Sequence, residues 1–246
     1  MPTSQRAEPA PGRAGTGGAA GDNGLWIVLG LLAAYSAVHI GFRLIASSAL
    51  GEDDPLENIL AQDLRAIYDL RQPPLYDWVL YAIQAVTGPT ISSFLAIKYA
   101  ALIGTGAALY AIARRSIGGG VAALLAVEAL ALIYQLSWRF HEGYTHQVGA
   151  MVAVAATMWA LLRAADAPNT ASFALLGAVT ALGALTQPVF LVFAVALWLA
   201  AAAEPELRRS FTASRVAIAV LPGVVSIGFL ILVSMRSDAG SPYIPT

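Results

Sequence analysis

Long apolar runs separated by short polar segments make up most of the chain after residue 24. A membrane-spanning helix needs about 20 mostly apolar residues, and several of these runs approach or reach that length. They predict about seven spans, which we place at Leu25–Ala46, Ile91–Ala113, Val121–Ser137, Gln147–Leu162, Ser172–Leu185, Val189–Ala202 and Val216–Met235. The third to sixth runs are short, which suits a bundle whose helix ends sit below the lipid headgroups.

Composition agrees with this pattern. Hydrophobic residues make up 58% of the sequence and charged residues only 12%, about half the charged share of a soluble domain. The Ala/Leu/Val runs do not alternate as the strands of a membrane barrel would. The predicted fold class is therefore all-α, a polytopic membrane helix bundle. The net charge of −1 gives no support to a nucleic-acid partner, and the absence of cysteine excludes disulfides and thiolate chemistry.

The two ends of the chain differ from the apolar middle. Residues 1–24 are rich in proline, glycine and alanine and carry few large apolar groups, so they predict a disordered tail. We take residues 25–238 as one transmembrane module that carries an outer loop at residues 51–90. Residues 239–246 are a short tail, of the kind that a truncated sequence would leave.

The basic residues predict the orientation of the bundle. They concentrate in alternate connections, so that one side of the membrane carries Arg6, Arg13, Arg114, Arg115, Arg163, Arg208, Arg209 and Arg215. The other side carries most of the acidic residues, including those of the segment Gly51–Trp78. Because cytoplasmic loops are enriched in Lys and Arg, we expect a cytoplasmic N-terminus and an outward-facing acidic loop.

The acidic segment predicts two helices that lie along the outer membrane surface. Asp54 precedes Pro55, which suits the first turn of a helix, and Glu57 completes a pattern close to a capping box. Helical spacing then relates the apolar residues Leu56, Ile59, Leu60, Leu64 and Ile67. A second amphipathic helix is expected at Leu75–Gly88, which is too short to span comfortably. Such a start is a common way to open a helix and by itself requires no chemistry.

At this segment the sequence resembles a known family. The acidic pair Asp53-Asp54, an amphipathic helix and then Pro73-Pro74 before Leu75 are similar to the first outer loop of GT-C glycosyltransferases. The most similar group is family 39, which contains the protein O-mannosyltransferases, the lipid A aminoarabinose transferases and bacterial enzymes that decorate lipid A cores.

Two further stretches carry the resemblance. Glu142 followed by Thr145-His146 resembles a pattern that lipid-A-type members carry where the fourth span begins. A weaker match at Gly183–Phe193 has Gln187 where relatives often have a basic or other polar residue. The resemblance extends over residues 25 to 235 and reaches only the N-terminal half of the family's full-length members.

The resemblance implies a GT-C-like bundle that catalyses inverting transfer of a sugar from a polyprenyl-phosphate donor. The acceptor would be a lipid or protein at the outer face of a bacterial inner membrane. It implies a first-loop carboxylate as general base, either Asp53 or Asp54. The candidate substrate-binding residues are Glu57, Arg71, Tyr76, Lys98, Arg139, Glu142 and His146. Among these, Arg71, Lys98 and Arg139 are proposed as phosphate contacts because of their position and charge, and no family motif assigns them.

No metal ligand is assigned from the sequence, although the family resemblance leaves room for a divalent cation. His141, His146 and Glu142 are of the types that ligate metals, yet nothing in their spacing fixes a geometry.

Two other functions remain open. The chain could be a shortened, non-catalytic relative that packs in the membrane against a larger complex through small residues. It could also be a transporter that uses Lys98, Glu128 and His39, which are ionisable groups within predicted spans. The sequence lacks the inverted repeat or broken helices usual in transporters.

Overall fold

The computed structural model describes residues 23–47, 49–51, 54–68 and 72–236. Most of the expected N-terminal tail, the expected C-terminal tail, Asp53 and Arg71 lie outside these ranges, and only the backbone of Arg236 is described. The described part is all-α, as predicted. Its helices are α1 (Gly24–Ala46), α2 (Asp54–Leu60), α3 (Leu75–Thr87), α4 (Ile91–Ile117), α5 (Gly120–Glu128), α6 (Phe140–Glu142), α7 (His146–Asp166), α8 (Thr170–Ala184), α9 (Pro188–Ala203), α10 (Pro205–Arg208) and α11 (Ala213–Arg236).

Four of these helices, α1, α4, α7 and α11, are long and apolar enough to cross a membrane. Two more, α8 and α9, are apolar but shorter. Large apolar side chains such as Phe42, Ile45 and Leu199 stand exposed on these helices, as expected of surfaces that contact lipid rather than water. The chain is thus a multi-pass membrane protein.

The predicted third span is bent rather than straight. After α5 the chain forms a 3₁₀ turn at Ala129–Leu132 and a π-helical turn at Gln135–Arg139. Between these turns Ile133 adopts an extended backbone, with φ −83° and ψ 119°. The two halves of the segment therefore meet at an angle of 75°. Glu128 ends α5, and its buried Oε1 has no hydrogen-bond partner among the described residues.

The acidic helix α2 is also shorter than predicted. It ends at Leu60, so Leu64 and Ile67 do not continue its apolar face. The chain instead folds back over α3, where the Trp78 indole Nε1–H donates to the Arg65 carbonyl oxygen at 2.7 Å. A helix is also observed where the second surface helix was predicted: α3 ends at Thr87, and the residue that caps it, Gly88, has a positive φ of 74°.

The long helices pack side by side in the order α1, α4, α7, α8 and α11. Two apolar clusters lie at opposite ends of α7: one is built around Tyr76, Phe94 and Phe140, and the other around Leu161 and Phe173. At the second end Arg115 and Asp166 form a bidentate ion pair at 2.7 Å, which joins α4 to α7. At the first end the Leu75 N–H donates to the Leu185 carbonyl oxygen at 3.0 Å. This contact places the start of α3 beside the turn between α8 and α9.

Gly177 allows α8 and α11 to approach closely. A Cβ at this position would lie 2.7 Å from the Ile218 carbonyl oxygen and 3.1 Å from Ala219 Cα. We expect Gly177→Ala to lower stability by about 1–3 kcal/mol, because backbone atoms cannot move aside as a flexible side chain can. Thermal denaturation of the purified protein in detergent measures this loss. Gly228→Ala on α11 is the control, since a Cβ there meets nothing within 4 Å, and an equal loss in both variants would contradict the packing explanation.

Candidate functional site

Three ionisable side chains meet in the interior at the end of the bundle that carries the acidic loop. His146 Nε2 lies 3.3 Å from Glu57 Oε1 and 3.9 Å from Asp77 Oδ2. Glu57 is 3% exposed, Asp77 1% and His146 1%. Charged groups are rarely buried to this degree unless they are paired or bind an ion. We call these three residues the buried triad.

Each residue of the buried triad comes from the first turn of a different helix. Glu57 belongs to α2, Asp77 to α3, and His146 is the first residue of α7. Carboxylates are favoured in the first turn of a helix by the partial positive charge of the free N–H groups. The ring of Tyr76 lies 5.0 Å from that of His146 and closes one side of the cluster.

The crowding of carboxylates in this interior changes their acidity. The pKa of Asp77 is raised to about 8, first by burial, then by the hydrogen bond and the negative charge of Glu57, while His146 opposes the shift. The pKa of the Tyr76 hydroxyl is raised far above its usual value by burial and by the negative charges of Asp54, Glu57 and Asp77. Around neutral pH the site therefore favours a protonated Asp77 and a neutral Tyr76.

Asp54, the first residue of α2, has one carboxylate oxygen fixed and the other without a partner. Its Oδ2 accepts a hydrogen bond of 2.9 Å from the Gly51 N–H. Its Oδ1 is buried and has no hydrogen-bond partner among the described residues, and the whole residue is 4% exposed. A carboxylate held in this way can accept a proton from a group that enters the site.

The loop before α2 touches the loop before α7. A Cβ on Gly51 would collide with the Glu142 carbonyl oxygen and would lie 2.9 Å from Asp54 Oδ2. Because only a glycine permits this approach without displacement, Gly51 brings the first acidic loop against the segment that leads into His146. Two of the three sequence stretches that carry the family resemblance, the first acidic loop and the one that begins at Glu142, are thus adjacent in space.

Lys98 supplies a positive charge on the buried face of α4, near the acidic residues. It is 3% exposed, and the carboxylate of Asp54 acts on it electrostatically. Arg43, which also acts on Lys98 electrostatically, donates hydrogen bonds to the carbonyl oxygens of Ser47 and Ala49. Lys98 is the only lysine in the sequence.

The predicted catalytic and substrate-binding residues that the structure describes divide into an interior group and a peripheral pair. Asp54, Glu57, Tyr76, Lys98 and His146 lie buried at the same end of the bundle. The peripheral pair is Arg139 and Glu142, whose side chains are about 40% exposed and lie 3.5 Å apart. Asp53 and Arg71 lie outside the described residues, so their roles stay predictions.

Asp77 is the residue of the site that sequence reasoning missed. It lies on the second helix predicted at the membrane surface, where polar side chains are expected to face water, yet it is among the most deeply buried side chains. The available signal was its position in the first turn after Pro73-Pro74-Leu75, within the stretch that carries the family resemblance.

His141 belongs to a separate aromatic cluster and not to the buried triad. Its Nε2 and Nδ1 form hydrogen bonds with the hydroxyl groups of Tyr35 at 2.6 Å and Tyr99 at 2.9 Å. Its ring also stacks on that of His39, with centroids 4.1 Å apart. The set His141, His146 and Glu142 suggested as metal ligands therefore does not assemble. Donor atoms of the buried triad do lie within 4.8 Å of one another.

An apolar cavity of about 620 Å³ is lined in part by Gln147, the residue that follows His146. It lies between α4, α7 and α9 and includes the bent segment after α5. Its lining is almost entirely apolar apart from Thr105, Gln147 and Gln187, and the larger apolar residues around it are Leu109, Ile112, Leu130, Leu136, Met151, Met158, Phe190 and Phe193. A cavity of this composition suits a hydrocarbon chain.

Two curated glycosyltransferases are similar to this chain. Lipopolysaccharide core galacturonosyltransferase RgtA of Rhizobium johnstonii is 30% identical over 180 residues, which cover 73% of this chain and 36% of that protein. RgtB of the same organism, also named a lipopolysaccharide core galacturonosyltransferase, is 28% identical over 185 residues, which cover 74% of this chain and 37% of that protein. The chain thus spans little more than a third of the length of these curated relatives. No solved structure matches.

A protein family also matches this chain. The sequence profile described as dolichyl-phosphate-mannose-protein mannosyltransferase matches residues 71–234, which is well over half of the chain. This stretch includes α3 with Asp77, α4 with Lys98 and the start of α7 with His146. The chain therefore belongs to the dolichyl-phosphate-mannose-protein mannosyltransferase family, as the resemblance of its first outer loop predicted.

Proposed function

We propose that this chain forms the membrane module of a glycosyltransferase that takes a sugar from a polyprenyl-phosphate donor. The acceptor is a lipid or protein group at the outer face of the membrane. Because both curated relatives are named lipopolysaccharide core galacturonosyltransferases, the sugar and acceptor to test first are galacturonic acid and a lipopolysaccharide core. Family membership and the site around Asp54 support this function.

The observation that carries the proposal is the hydrogen bonding of the Asp54 carboxylate. Its Oδ2 is oriented by the Gly51 N–H, and its buried Oδ1 faces no partner among the described residues. In the proposed reaction an acceptor hydroxyl oxygen attacks the anomeric carbon as the carbon–oxygen bond to the donor phosphate breaks. The hydroxyl proton passes to Asp54, and polyprenyl phosphate leaves with the electron pair. A single displacement of this kind inverts the anomeric configuration.

The leaving phosphate needs a positive partner, and Lys98 is the best-placed candidate. It is buried near Asp54, and a buried ammonium group stabilises a developing phosphate charge more strongly than an exposed one. The apolar cavity between α4, α7 and α9 would take part of the polyprenyl chain, because its lining offers hydrocarbon contact and few hydrogen-bond groups. Arg71 and Arg139 are further phosphate contacts in this proposal.

The remaining predicted residues would hold the acceptor. Tyr76, Glu57 and His146 form a polar wall beside Asp54, and Glu142 lies at its exposed edge. Polar groups buried in this way discriminate strongly between acceptors, since an acceptor that lacks a hydrogen-bonding group leaves them unpaired.

The proposal also includes a topology. The bent segment after α5 and the shorter helices α8 and α9 would cross the membrane with the four long helices, giving about seven spans. The N-terminus would then lie in the cytoplasm of a bacterial cell and the acidic loop in the periplasm, because the basic residues concentrate on the opposite side. The contact of α3 with the α8–α9 turn supports a common outer end for these elements.

A transfer assay tests the function directly. The full chain is reconstituted in liposomes with a polyprenyl-phosphate-linked galacturonic acid and a lipopolysaccharide core acceptor, and the product is measured by mass spectrometry. We expect transfer from this donor and weaker or no transfer from the matched mannose donor. Absence of transfer from every lipid-linked donor, with the protein folded and correctly inserted, would contradict the activity proposed for this chain. If the chain shows no transfer and purifies from its native membrane together with other membrane proteins, an accessory role is favoured.

A further inference from the structure

We propose that Glu57, Asp77 and His146 form a binding site for one divalent transition-metal ion, Zn²⁺ or Mn²⁺. This inference does not rest on the proposed function, because ion binding is measurable without any sugar transfer. It rests on the types of the three side chains, on their distances and on their burial.

The distances fit a metal centre. Zinc bound at about 2.0–2.1 Å in a tetrahedral site holds its ligand atoms roughly 3.3–3.4 Å apart. His146 Nε2 lies 3.3 Å from Glu57 Oε1, which already matches this spacing. His146 Nε2 lies 3.9 Å from Asp77 Oδ2, so the Asp77 carboxylate needs to move only slightly closer to reach the same spacing.

Burial and charge favour an ion over an empty cluster. Two carboxyl groups share an interior in which each residue is at most 3% exposed, so without an ion only one of them is readily ionised, whereas a divalent cation allows both to be ionised. Asp77 Oδ1 is also buried without a hydrogen-bond partner among the described residues. A divalent cation between the three residues would neutralise both carboxylates and use an oxygen that is otherwise unsatisfied.

The ligand types determine which ion to expect. Mg²⁺ and Ca²⁺ prefer oxygen ligands, whereas an imidazole nitrogen suits Zn²⁺ and other first-row transition metals. One imidazole and two carboxylates therefore favour Zn²⁺ or Mn²⁺. Three protein ligands also leave at least one coordination position open, which is the arrangement of a metal site that accepts a further ligand.

The site would also have a structural effect. Its ligands come from the first turns of α2, α3 and α7, which are far apart in the sequence. One ion would therefore join the acidic loop to the bundle, and its binding energy would stabilise this end of the protein.

Metal titration of the full chain tests the proposal. The protein is purified in detergent without a histidine tag, stripped with a chelator and dialysed against Zn²⁺, Mn²⁺, Mg²⁺ or Ca²⁺. We expect about one equivalent of Zn²⁺ or Mn²⁺ to be retained, as one three-ligand site requires, together with a higher thermal unfolding temperature. Mg²⁺ and Ca²⁺ should give neither effect.

Variants identify the ligands. Asp77→Asn and His146→Gln keep the size of the side chain and are expected to lower Zn²⁺ affinity by at least about tenfold, since each removes one of three ligands. Glu142→Gln is the matched control at the same end of the protein, because its exposed carboxylate pairs with Arg139, and it should bind as the unaltered chain does. Retention of well under one equivalent by the unaltered protein would overturn the proposal, even if a ligand variant fails to fold. So would loss of binding in Glu142→Gln alone.

Discussion

Replacing Asp54 with asparagine is expected to lower sugar transfer by about 10²–10⁴-fold, which is the usual contribution of a positioned general base. Asparagine keeps the shape of the side chain, and its amide oxygen can still accept the hydrogen bond from the Gly51 N–H. What it loses is the ability to accept the proton of the acceptor hydroxyl. The measurement is the initial rate of product formation in liposomes, at saturating donor and acceptor.

Two further variants make this result specific. Asp63→Asn is the matched control, because Asp63 is 69% exposed and its carboxylate pairs with Arg65, so transfer should be unchanged. Asp53→Asn decides between the two carboxylates that the family resemblance allows as base. Transfer that survives Asp54→Asn but is lost in Asp53→Asn would contradict the assignment of the base to Asp54.

Replacing Lys98 with methionine is expected to reduce kcat/KM for the lipid-linked donor by about 10–100-fold. This range corresponds to the loss of one hydrogen bond to a charged group. Methionine retains much of the side-chain length and apolar stem but removes the positive charge that would face the donor phosphate. The kinetic constants are obtained by varying the donor at a fixed, saturating acceptor concentration.

The control for Lys98 is a cation at the other end of the bundle. Arg115→Gln removes the ion pair with Asp166 at the end of α7 that lies away from the acidic loop, and it should leave donor kinetics unchanged. Lys98→Arg should restore part of the activity because it restores the charge. If Lys98→Met transfers sugar as well as the unaltered chain, Lys98 does not contact the donor phosphate.

Much of the fold could be predicted from the sequence because lipid imposes a simple length rule on spanning helices. The apolar runs located α1, α4, α7 and α11 to within a few residues at most ends. The bend after α5 could not be predicted, since the apolar run continues through Ile133 and only the backbone geometry there breaks the helix. The early end of α2 could not be predicted either, since helical spacing continues to Ile67 while the chain after Leu60 instead contacts α3 through the hydrogen bond between Trp78 and Arg65.

The site was less predictable than the fold. Local patterns identified Asp54 and Glu57, and the resemblance added His146, but the proximity of these residues depends on how α2, α3 and α7 pack. Asp77 illustrates the limit: its neighbours in sequence are those of a surface helix, whereas its neighbours in space are Glu57 and His146. Long-range contacts of this kind leave no periodic signal in a single sequence.

The central claim is that the end of the bundle with Asp54 and the buried triad faces outward from the cytoplasm. Because the chain contains no cysteine, single cysteines can be introduced without background. Ala66 and Ala167 are a matched pair, exposed alanines in the loop after α2 and in the turn after α7. In intact cells a membrane-impermeant maleimide should label Ala66→Cys and should label Ala167→Cys only after the membrane is permeabilised. The reverse pattern would place the acidic site in the cytoplasm and contradict the account.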